Sequence, residues 1–176
     1  MPESKKMIFI TGGARSGKSR YAQELALQLS AGPVYVATAR RWDDEFGERI
    51  ERHKQERDER WSSMESEKYL SSLDLHGKVA VIDCITLWLT NFFADLNSDT
   101  DAVLEACKKE IDALHQQEAI LIIISNEIGM GMHADTPIGR KFIDLQGWIN
   151  QYIASKADKV LFMVSGLPLT IKNTGS

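Results

Sequence analysis

The chain has 176 residues, of which 43% are hydrophobic and 26% charged, and its formal net charge is −4 at pH 7. This length and composition predict one globular domain, residues 1–176. The mildly acidic balance argues against broad non-specific nucleic-acid binding, although a local basic groove would be compatible with it, and we expect no nucleic-acid partner. Cys84 and Cys107 are its only cysteines, which excludes a disulfide framework and a zinc site of cysteine ligands. We therefore expect a cytoplasmic protein, with no signal peptide and no segment near the roughly 20 apolar residues of a membrane span.

The first motif is a glycine-rich loop between a predicted strand at residues 7–11 and a predicted helix at residues 20–29. It fits the pattern G-x-x-x-x-G-K-[ST] in the strand–loop–helix context that a phosphate-binding loop requires. Its residues are Gly12, Gly13, Ala14, Arg15, Ser16, Gly17, Lys18 and Ser19. Glycines let backbone N–H groups converge on phosphate oxygens, and the helix directs the positive end of its dipole at the anion. The loop therefore predicts nucleoside triphosphate binding.

Two side chains of this loop have predicted roles in chemistry. Lys18 can reach the β- and γ-phosphates and neutralise the charge that develops during phosphoryl transfer. The hydroxyl of Ser19 can hold Mg²⁺.

Two contrasting segments follow the first helix. Residues 34–38 are apolar and β-branched, which predicts a second buried strand, and Ala37, Thr38 and Ala39 lie where its end can contact nucleotide. Residues 41–60 are densely charged with a narrow apolar stripe, which predicts a mostly solvated helix. A helix that projects from the core and faces a substrate is the alternative interpretation.

A second candidate Mg²⁺ ligand lies further along the chain. Residues 62–78 are polar and loop-rich, with a short helical piece predicted at residues 67–73. The apolar strand predicted over Val79–Asp83 then ends in a carboxylate, as a Walker B strand does. We predict that Asp83 helps Ser19 to hold Mg²⁺, with a capping or turn role as the alternative.

The rest of the chain alternates helices and strands. The predicted helices cover residues 84–93, 101–117 and 139–156, and the predicted strands residues 119–127 and 160–164. The first of these strands ends in the polar residues 125–127, at the edge where α/β sheets place their ligands. We interpret residues 128–137 as a mobile loop, residues 165–172 as a hairpin-like ending, residues 173–176 as frayed and Trp88 as a core residue. This alternation predicts an α/β three-layer domain with a mainly parallel sheet.

Several stretches taken together resemble one family. They are residues 12–20, 35–38, 43–45, 49–54, 61, 83–91, 125–131, 164–166 and 171–172. From about residue 7 to residue 172 the chain is similar to the bifunctional adenosylcobinamide kinase/adenosylcobinamide-phosphate guanylyltransferases of cobalamin biosynthesis. The resemblance implies a RecA-like P-loop NTPase fold, a homo-oligomer that is commonly a trimer, and the corrinoid adenosylcobinamide as substrate.

The resemblance also implies two reactions that use ATP or GTP with Mg²⁺. The kinase step moves the γ-phosphoryl group onto the aminopropanol hydroxyl of adenosylcobinamide. The second step transfers GMP from GTP onto that phosphate through a guanylyl-histidine. By the same resemblance, the residues of the guanine-nucleotide site are Lys54, Gln55, Glu56, Arg57, Glu65 and Asp83. Periodicity and spacing alone name neither the acceptor nor the reaction.

The position that matches the family's nucleophilic histidine is His53. Some relatives carry two adjacent histidines here, whereas this chain has Arg52 before His53, so His53 alone can serve. A neutral imidazole is nucleophilic near pH 7, and the N–P bond it forms is readily broken by an incoming phosphate. Without the resemblance, a solvated histidine on a charged helix would be the better interpretation. The other histidines, His76, His115 and His133, are assigned no chemistry.

Two alternative functions stay open at this point. The first is a monofunctional P-loop small-molecule kinase in which His53 takes no part. The second is a RecA-like nucleotide-dependent regulatory module, which would need a macromolecular partner. No polybasic or aromatic-interleaved stretch favours this second alternative.

Overall fold

The computed structural model describes residues 5–131 and 133–175, and a seven-stranded sheet runs through this part of the chain. The strands are β1 (Lys6–Gly12), β2 (Val34–Ala37), β3 (Ser62–Glu65), β4 (Val79–Asp83), β5 (Ile120–Ile124), β6 (Lys159–Val164) and β7 (Leu167–Asn173). Their order is β3-β2-β4-β5-β1-β6-β7, and each neighbouring pair is parallel except β6 and β7. The carboxyl ends of β1, β5 and β4 therefore meet at one edge of the sheet.

The same described residues form five α-helices that cover both faces of the sheet. They are α1 (Lys18–Leu29), α2 (Asp44–Gln55), α3 (Ile85–Asp95), α4 (Thr100–His115) and α5 (Pro137–Lys156). Ala22 and Ala26 of α1 pack on one face of the sheet. Apolar side chains of α3, α4 and α5 pack on the other face. This arrangement confirms the predicted three-layer α/β fold with a mainly parallel sheet.

Local sequence explains where three of these helices begin. The side chains of Asp43, Asp99 and Thr136 accept backbone N–H groups of the first turns of α2, α4 and α5, at 2.7, 3.1 and 3.1 Å. These hydrogen bonds satisfy donors that a helix leaves unpaired at its start. Pro137 suits the first turn of α5, because no partner is needed there for the N–H group that proline lacks.

The strand β3 corrects the expectation of a polar loop over residues 62–78. Its four side chains are polar or partly exposed and show no apolar alternation. The strand forms because its backbone pairs with β2 at the edge of the sheet. The helical piece expected at residues 67–73 is shorter, a 3₁₀ turn at Leu70–Ser72.

The end of the chain is better ordered than expected. The hairpin-like ending is confirmed, since β6 and β7 pair antiparallel around Gly166. The expectation of fraying is wrong for Asn173, which ends β7, and for Thr174, whose backbone N–H donates to Asp158 O at 2.8 Å. Positions 1–4, 132 and 176, on which the expectations about a signal peptide, the mobile loop and the frayed end partly fall, lie outside the described residues.

Trp88 lies in the core, as predicted. Its side chain is 0% exposed, its Nε1–H donates to Lys68 O at 2.7 Å, and its ring meets Phe92 edge to face at 5.1 Å. Cys84 and Cys107 are buried free thiols. Within residues 5–131 and 133–175, no helix has the length and apolar character needed to cross a membrane.

We expect Trp88→Ala to lower the free energy of unfolding by about 3–5 kcal/mol, because it leaves a cavity in the core and removes the hydrogen bond that Nε1 donates to Lys68 O. Urea unfolding followed by far-UV circular dichroism measures this loss. The matched control is Trp42→Ala, at a side chain that is 46% exposed, which should cost under about 1 kcal/mol. Equal losses in the two variants would contradict the core role of Trp88.

Candidate active site

The glycine-rich loop leaves β1 at Gly12 and enters α1 at Lys18. A Cβ on Gly12 would lie 2.7 Å from Met163 O and 2.8 Å from Ser16 Oγ, so only glycine fits there. Gly17 has φ +90°, a conformation that suits glycine at the turn into the helix. The turn between β6 and β7 braces the loop, since Gly166 N donates to Ser16 O at 3.0 Å.

Lys18 is the buried cation of this loop. Its Nζ donates to Gly13 O at 2.5 Å and lies 3.5 Å from Ser16 Oγ. Burial lowers the pKa of Lys18, and the nearby Cys84 and Asp83 partly offset that effect. A phosphate group would restore the stabilisation of the ammonium that burial removes.

Asp83, at the end of β4, accepts two hydroxyl hydrogen bonds on one carboxylate oxygen. Ser19 Oγ donates to Asp83 Oδ2 at 2.8 Å, and Tyr35 Oη donates to the same oxygen at 2.7 Å. Burial, followed by the charge of Asp83, raises the pKa of Tyr35, so its phenol remains a donor. The hydroxyl and carboxylate oxygens are hard ligands of the kind that Mg²⁺ takes together with phosphate oxygens and water.

The α2 helix brings His53 to this loop. Two cavities meet at the site: a loop cavity of about 430 Å³ against the glycine-rich loop and a side cavity of about 150 Å³ against β2 and α2. Ser19, His53 and Asp83 line both cavities. The His53 side chain is 66% exposed, and its Nδ1 lies 3.3 Å from Glu56 Oε2. His53 therefore stands at the junction of the two cavities.

The side cavity carries two further cations of α2 and the turn that follows it. The guanidinium of Arg57 lies 3.7 Å from the centre of the Tyr35 ring, and its buried Nε has no hydrogen-bond partner among the described residues. Lys54 Nζ pairs with Glu65 Oε1 at 2.5 Å, which raises the pKa of Lys54 and lowers that of Glu65. The side cavity thus combines an aromatic wall with positive charge.

The structure gathers most of the predicted site residues. Those that line the loop cavity are Ala14, Arg15, Ser16, Gly17, Lys18, Ser19, His53 and Asp83. Those that line the side cavity are Ala37, Ala39, Lys54 and Arg57, again with Ser19, His53 and Asp83. Gly12 and Gly13 begin the loop. Gly12 has no room for a Cβ, and the carbonyl oxygen of Gly13 accepts the hydrogen bond from Lys18 Nζ.

Four predicted residues have other surroundings. Thr38 is buried, and its Oγ1 donates to Cys84 O at 2.7 Å and accepts Cys84 N at 3.0 Å, so the side chain holds the end of β4. Gln55 lines a third cavity, of about 800 Å³, which α2 forms with residues 41–43 before it. Glu56 and Glu65 line neither the loop cavity nor the side cavity and pair with His53 and Lys54 instead.

Sequence reasoning gave no role to two further residues of the site, Tyr35 and Asn126. Arg49, a cation expected from the sequence to offset triphosphate charge, lies one helical turn before His53 and lines the loop cavity with it. Tyr35 binds Asp83, and Asn126 lines the loop cavity at the end of β5. The polar residues after the most hydrophobic strand were the signal for Asn126, whereas nothing in an apolar strand marks Tyr35 as a ligand of Asp83.

The loop, the carboxylate at the end of β4 and the parallel sheet define a P-loop nucleotide-binding protein of RecA-like fold. The chain is similar in fold to the ATPase EscN of the enteropathogenic E. coli type III secretion system, with a TM-score of 0.53 and 13% identity over 92% of this chain and 43% of that chain. At this identity the likeness concerns the fold alone.

The sequence profile of the cobinamide kinase / cobinamide phosphate guanyltransferase family matches residues 8–171. The chain is 36% identical to the bifunctional adenosylcobalamin biosynthesis protein CobU of Escherichia coli K12, over 94% of this chain and 99% of that protein. It is 37% identical to the bifunctional adenosylcobalamin biosynthesis protein CobP of Pseudomonas aeruginosa, over 93% of this chain and 95% of that protein. The chain belongs to the cobinamide kinase / cobinamide phosphate guanyltransferase family.

We expect Lys18→Ala to weaken the binding of a non-hydrolysable GTP analogue by about tenfold to a hundredfold, the range for lost charged hydrogen bonds of about 1.5–3 kcal/mol. Isothermal titration calorimetry measures the affinity. Lys109→Ala is the matched control, because Lys109 is exposed and pairs with Glu105 far from the loop. An unchanged affinity in Lys18→Ala would contradict the role of the loop.

Proposed function

We propose that this protein phosphorylates adenosylcobinamide with a nucleoside triphosphate and then transfers GMP from GTP to adenosylcobinamide phosphate. Family membership supports the pair of reactions, and the geometry supports a shared site. The observation that carries the proposal is the position of His53, which lines one cavity with Lys18 and a second cavity with Arg57. A kinase that uses the phosphate loop alone would not require a histidine at that junction.

In the kinase step, the substrate hydroxyl attacks the γ-phosphorus and the bond from this phosphorus to the β–γ bridging oxygen breaks. Backbone N–H groups of the glycine-rich loop and the ammonium of Lys18 neutralise the charge on the phosphoryl oxygens. Ser19 and Asp83 are the residues that would hold Mg²⁺, which supplies further charge neutralisation when bound. The proton of the hydroxyl passes to water.

In the guanylyl step, His53 attacks the α-phosphorus of GTP and pyrophosphate leaves. Glu56, 3.3 Å from Nδ1, is placed to retain the proton on that nitrogen and leave Nε2 as the nucleophile. A phosphate oxygen of adenosylcobinamide phosphate then attacks the same phosphorus, and the N–P bond to His53 breaks. The side cavity, with Arg57 over Tyr35, is the site we assign to the guanosine.

The experiment is incubation of the protein with GTP that carries radioactive phosphorus at the α position. We expect label on the protein that is stable to base and labile to acid, as a phosphoramidate is, and label that disappears when adenosylcobinamide phosphate is added. His53→Ala should abolish the label. The matched control is His76→Ala, at an exposed histidine in the loop before β4.

Two results would contradict this assignment. Full labelling of His53→Ala would exclude His53 as the nucleophile. Phosphorylation of adenosylcobinamide without any covalent GMP or pyrophosphate release would favour the monofunctional kinase.

We also infer a homo-oligomer, a trimer as in the relatives that the sequence resembles. The edge strand β7 leaves Leu167, Leu169 and Ile171 exposed by 70%, 59% and 62%, at alternate positions of one strand. Exposed apolar patches of this kind support association.

Light scattering should give the mass of three chains, and Leu169→Glu should reduce it to that of one. Leu29→Glu, at an exposed leucine of α1, is the control, and a monomeric wild type would refute the inference.

A further inference from the structure

The geometry points to Asn126 as the residue that contacts the acceptor hydroxyl in the kinase step and orients it toward the γ-phosphorus. This inference rests on the proposed kinase reaction. Asn126 lines the loop cavity together with Lys18, Ser19 and Asp83. It follows β5, which lies between β1 with the glycine-rich loop and β4 with Asp83.

The backbone around Asn126 is tied to the strand that leads into the loop. Ser125 N donates to Ile10 O at 2.9 Å, and Glu127 N donates to Gly12 O at 2.9 Å. These two hydrogen bonds continue the pairing of β5 with β1 beyond the end of β5. The backbone of Asn126 is therefore held in a fixed position relative to Gly12, the first glycine of the loop.

The hydroxyl of Thr86, in α3, determines which way the carboxamide of Asn126 faces. Thr86 Oγ1 accepts the backbone N–H of Asn126 at 3.2 Å and its Nδ2–H at 3.1 Å. The single hydroxyl hydrogen of Thr86 is donated to Gln146 Oε1 at 2.6 Å. Because Thr86 has no second hydrogen to donate, the carboxamide must direct its nitrogen to Thr86 and its oxygen elsewhere.

A buried set of side chains holds Thr86 and Asn126 in this arrangement. Gln146, 1% exposed, donates from Nε2 to Ser125 Oγ at 3.0 Å and to Asn150 Oδ1 at 2.9 Å. Ser125 Oγ donates to Asn150 Oδ1 at 2.7 Å, and Asn150 Nδ2 donates to Asn126 O at 3.1 Å. Each hydroxyl hydrogen in this set has one acceptor, and satisfied buried networks of this kind favour a single side-chain geometry.

The rest of the Asn126 carboxamide is available to a ligand. Among the described residues, its Oδ1 accepts no hydrogen bond, and Nδ2 has one hydrogen that is not donated to Thr86. A neutral amide does not repel the γ-phosphate and does not take up the proton. Its oxygen can accept the O–H of the acceptor, which directs an oxygen lone pair at the phosphorus.

Only one of the proposed steps uses a hydroxyl nucleophile. In that step the acceptor O–P bond forms, the bond to the β–γ bridging oxygen breaks, and the hydroxyl proton passes to water. In the guanylylation of His53 the nucleophile is an imidazole that α2 carries, and no substrate hydroxyl has to be oriented. Loss of the Asn126 carboxamide should therefore affect the two reactions differently.

The test measures both reactions in Asn126→Ala. We expect the kcat for phosphorylation of adenosylcobinamide to fall about 100-fold, the order of magnitude for a misplaced reactant. The rate of His53 labelling by α-labelled GTP should stay at the wild-type value, which also reports that the variant is folded. Asn173→Ala, the same change on the exposed edge strand β7, is the matched control and should leave both rates unchanged.

Thr86 gives a second test through positioning. Thr86→Val removes the hydroxyl that binds Asn126 and should lower the kinase kcat with an unchanged KM for GTP, whereas Thr86→Ser should restore kcat. A wild-type kinase rate in Asn126→Ala, an equal fall of both reactions in that variant, or no rescue by serine would overturn the inference. A wild-type protein that does not phosphorylate adenosylcobinamide would instead refute the proposed function.

Discussion

The carboxylate of Asp83 is the constraint on which the site depends. One oxygen of this group accepts hydroxyls from Ser19 on α1 and Tyr35 on β2, while Asp83 itself ends β4. A single atom thus joins the helix that follows the phosphate loop to two strands of the sheet. Because burial and the charge of Asp83 raise the pKa of Tyr35, its phenol stays protonated and keeps donating to Asp83. The loop cavity and the side cavity consequently share a wall of fixed position.

Helical phase explains how one helix serves both cavities. Arg49 and His53 are four residues apart and lie on one face of α2, toward the loop cavity. Ile50, Lys54 and His53 line the side cavity, so His53 is the residue shared by the two faces. Gln55, two positions beyond His53, lines neither of these cavities and instead lines the one that α2 forms with residues 41–43. The helical periodicity thus places His53, the candidate nucleophile, and Gln55, which the family resemblance assigns to the nucleotide site, at different cavities.

Much of the fold could be predicted because the buried strands carry their own signal. The apolar runs of β1, β4 and β5 and the glycine motif between β1 and α1 are local patterns. The strand β3 has no such pattern, since Ser62–Glu65 is polar and forms through backbone pairing to β2. The hydrogen bonds around Asn126 could not be predicted from the sequence either. Gln146 looks like any polar residue of an amphipathic helix, and its partner Thr86 is distant in sequence. Motifs predicted the phosphate site, but only the tertiary structure shows which side chains orient its neighbours.

The α2 helix buries fewer of its residues than the other helices do, which affects how firmly it holds His53. Gly47 is the one residue of α2 that is buried, whereas α1, α3, α4 and α5 each bury three or more residues. The helix is stabilised locally instead, by acidic residues in its first turn and basic residues in its last. A segment with so little apolar burial separates from its domain at a lower free energy than the core helices do. His53, the residue proposed for the covalent step, is thus carried by the helix with the fewest buried residues, whereas Lys18 and Asp83 belong to elements packed in the core. We therefore expect His53 to move relative to the phosphate loop more readily than Lys18 and Asp83 do.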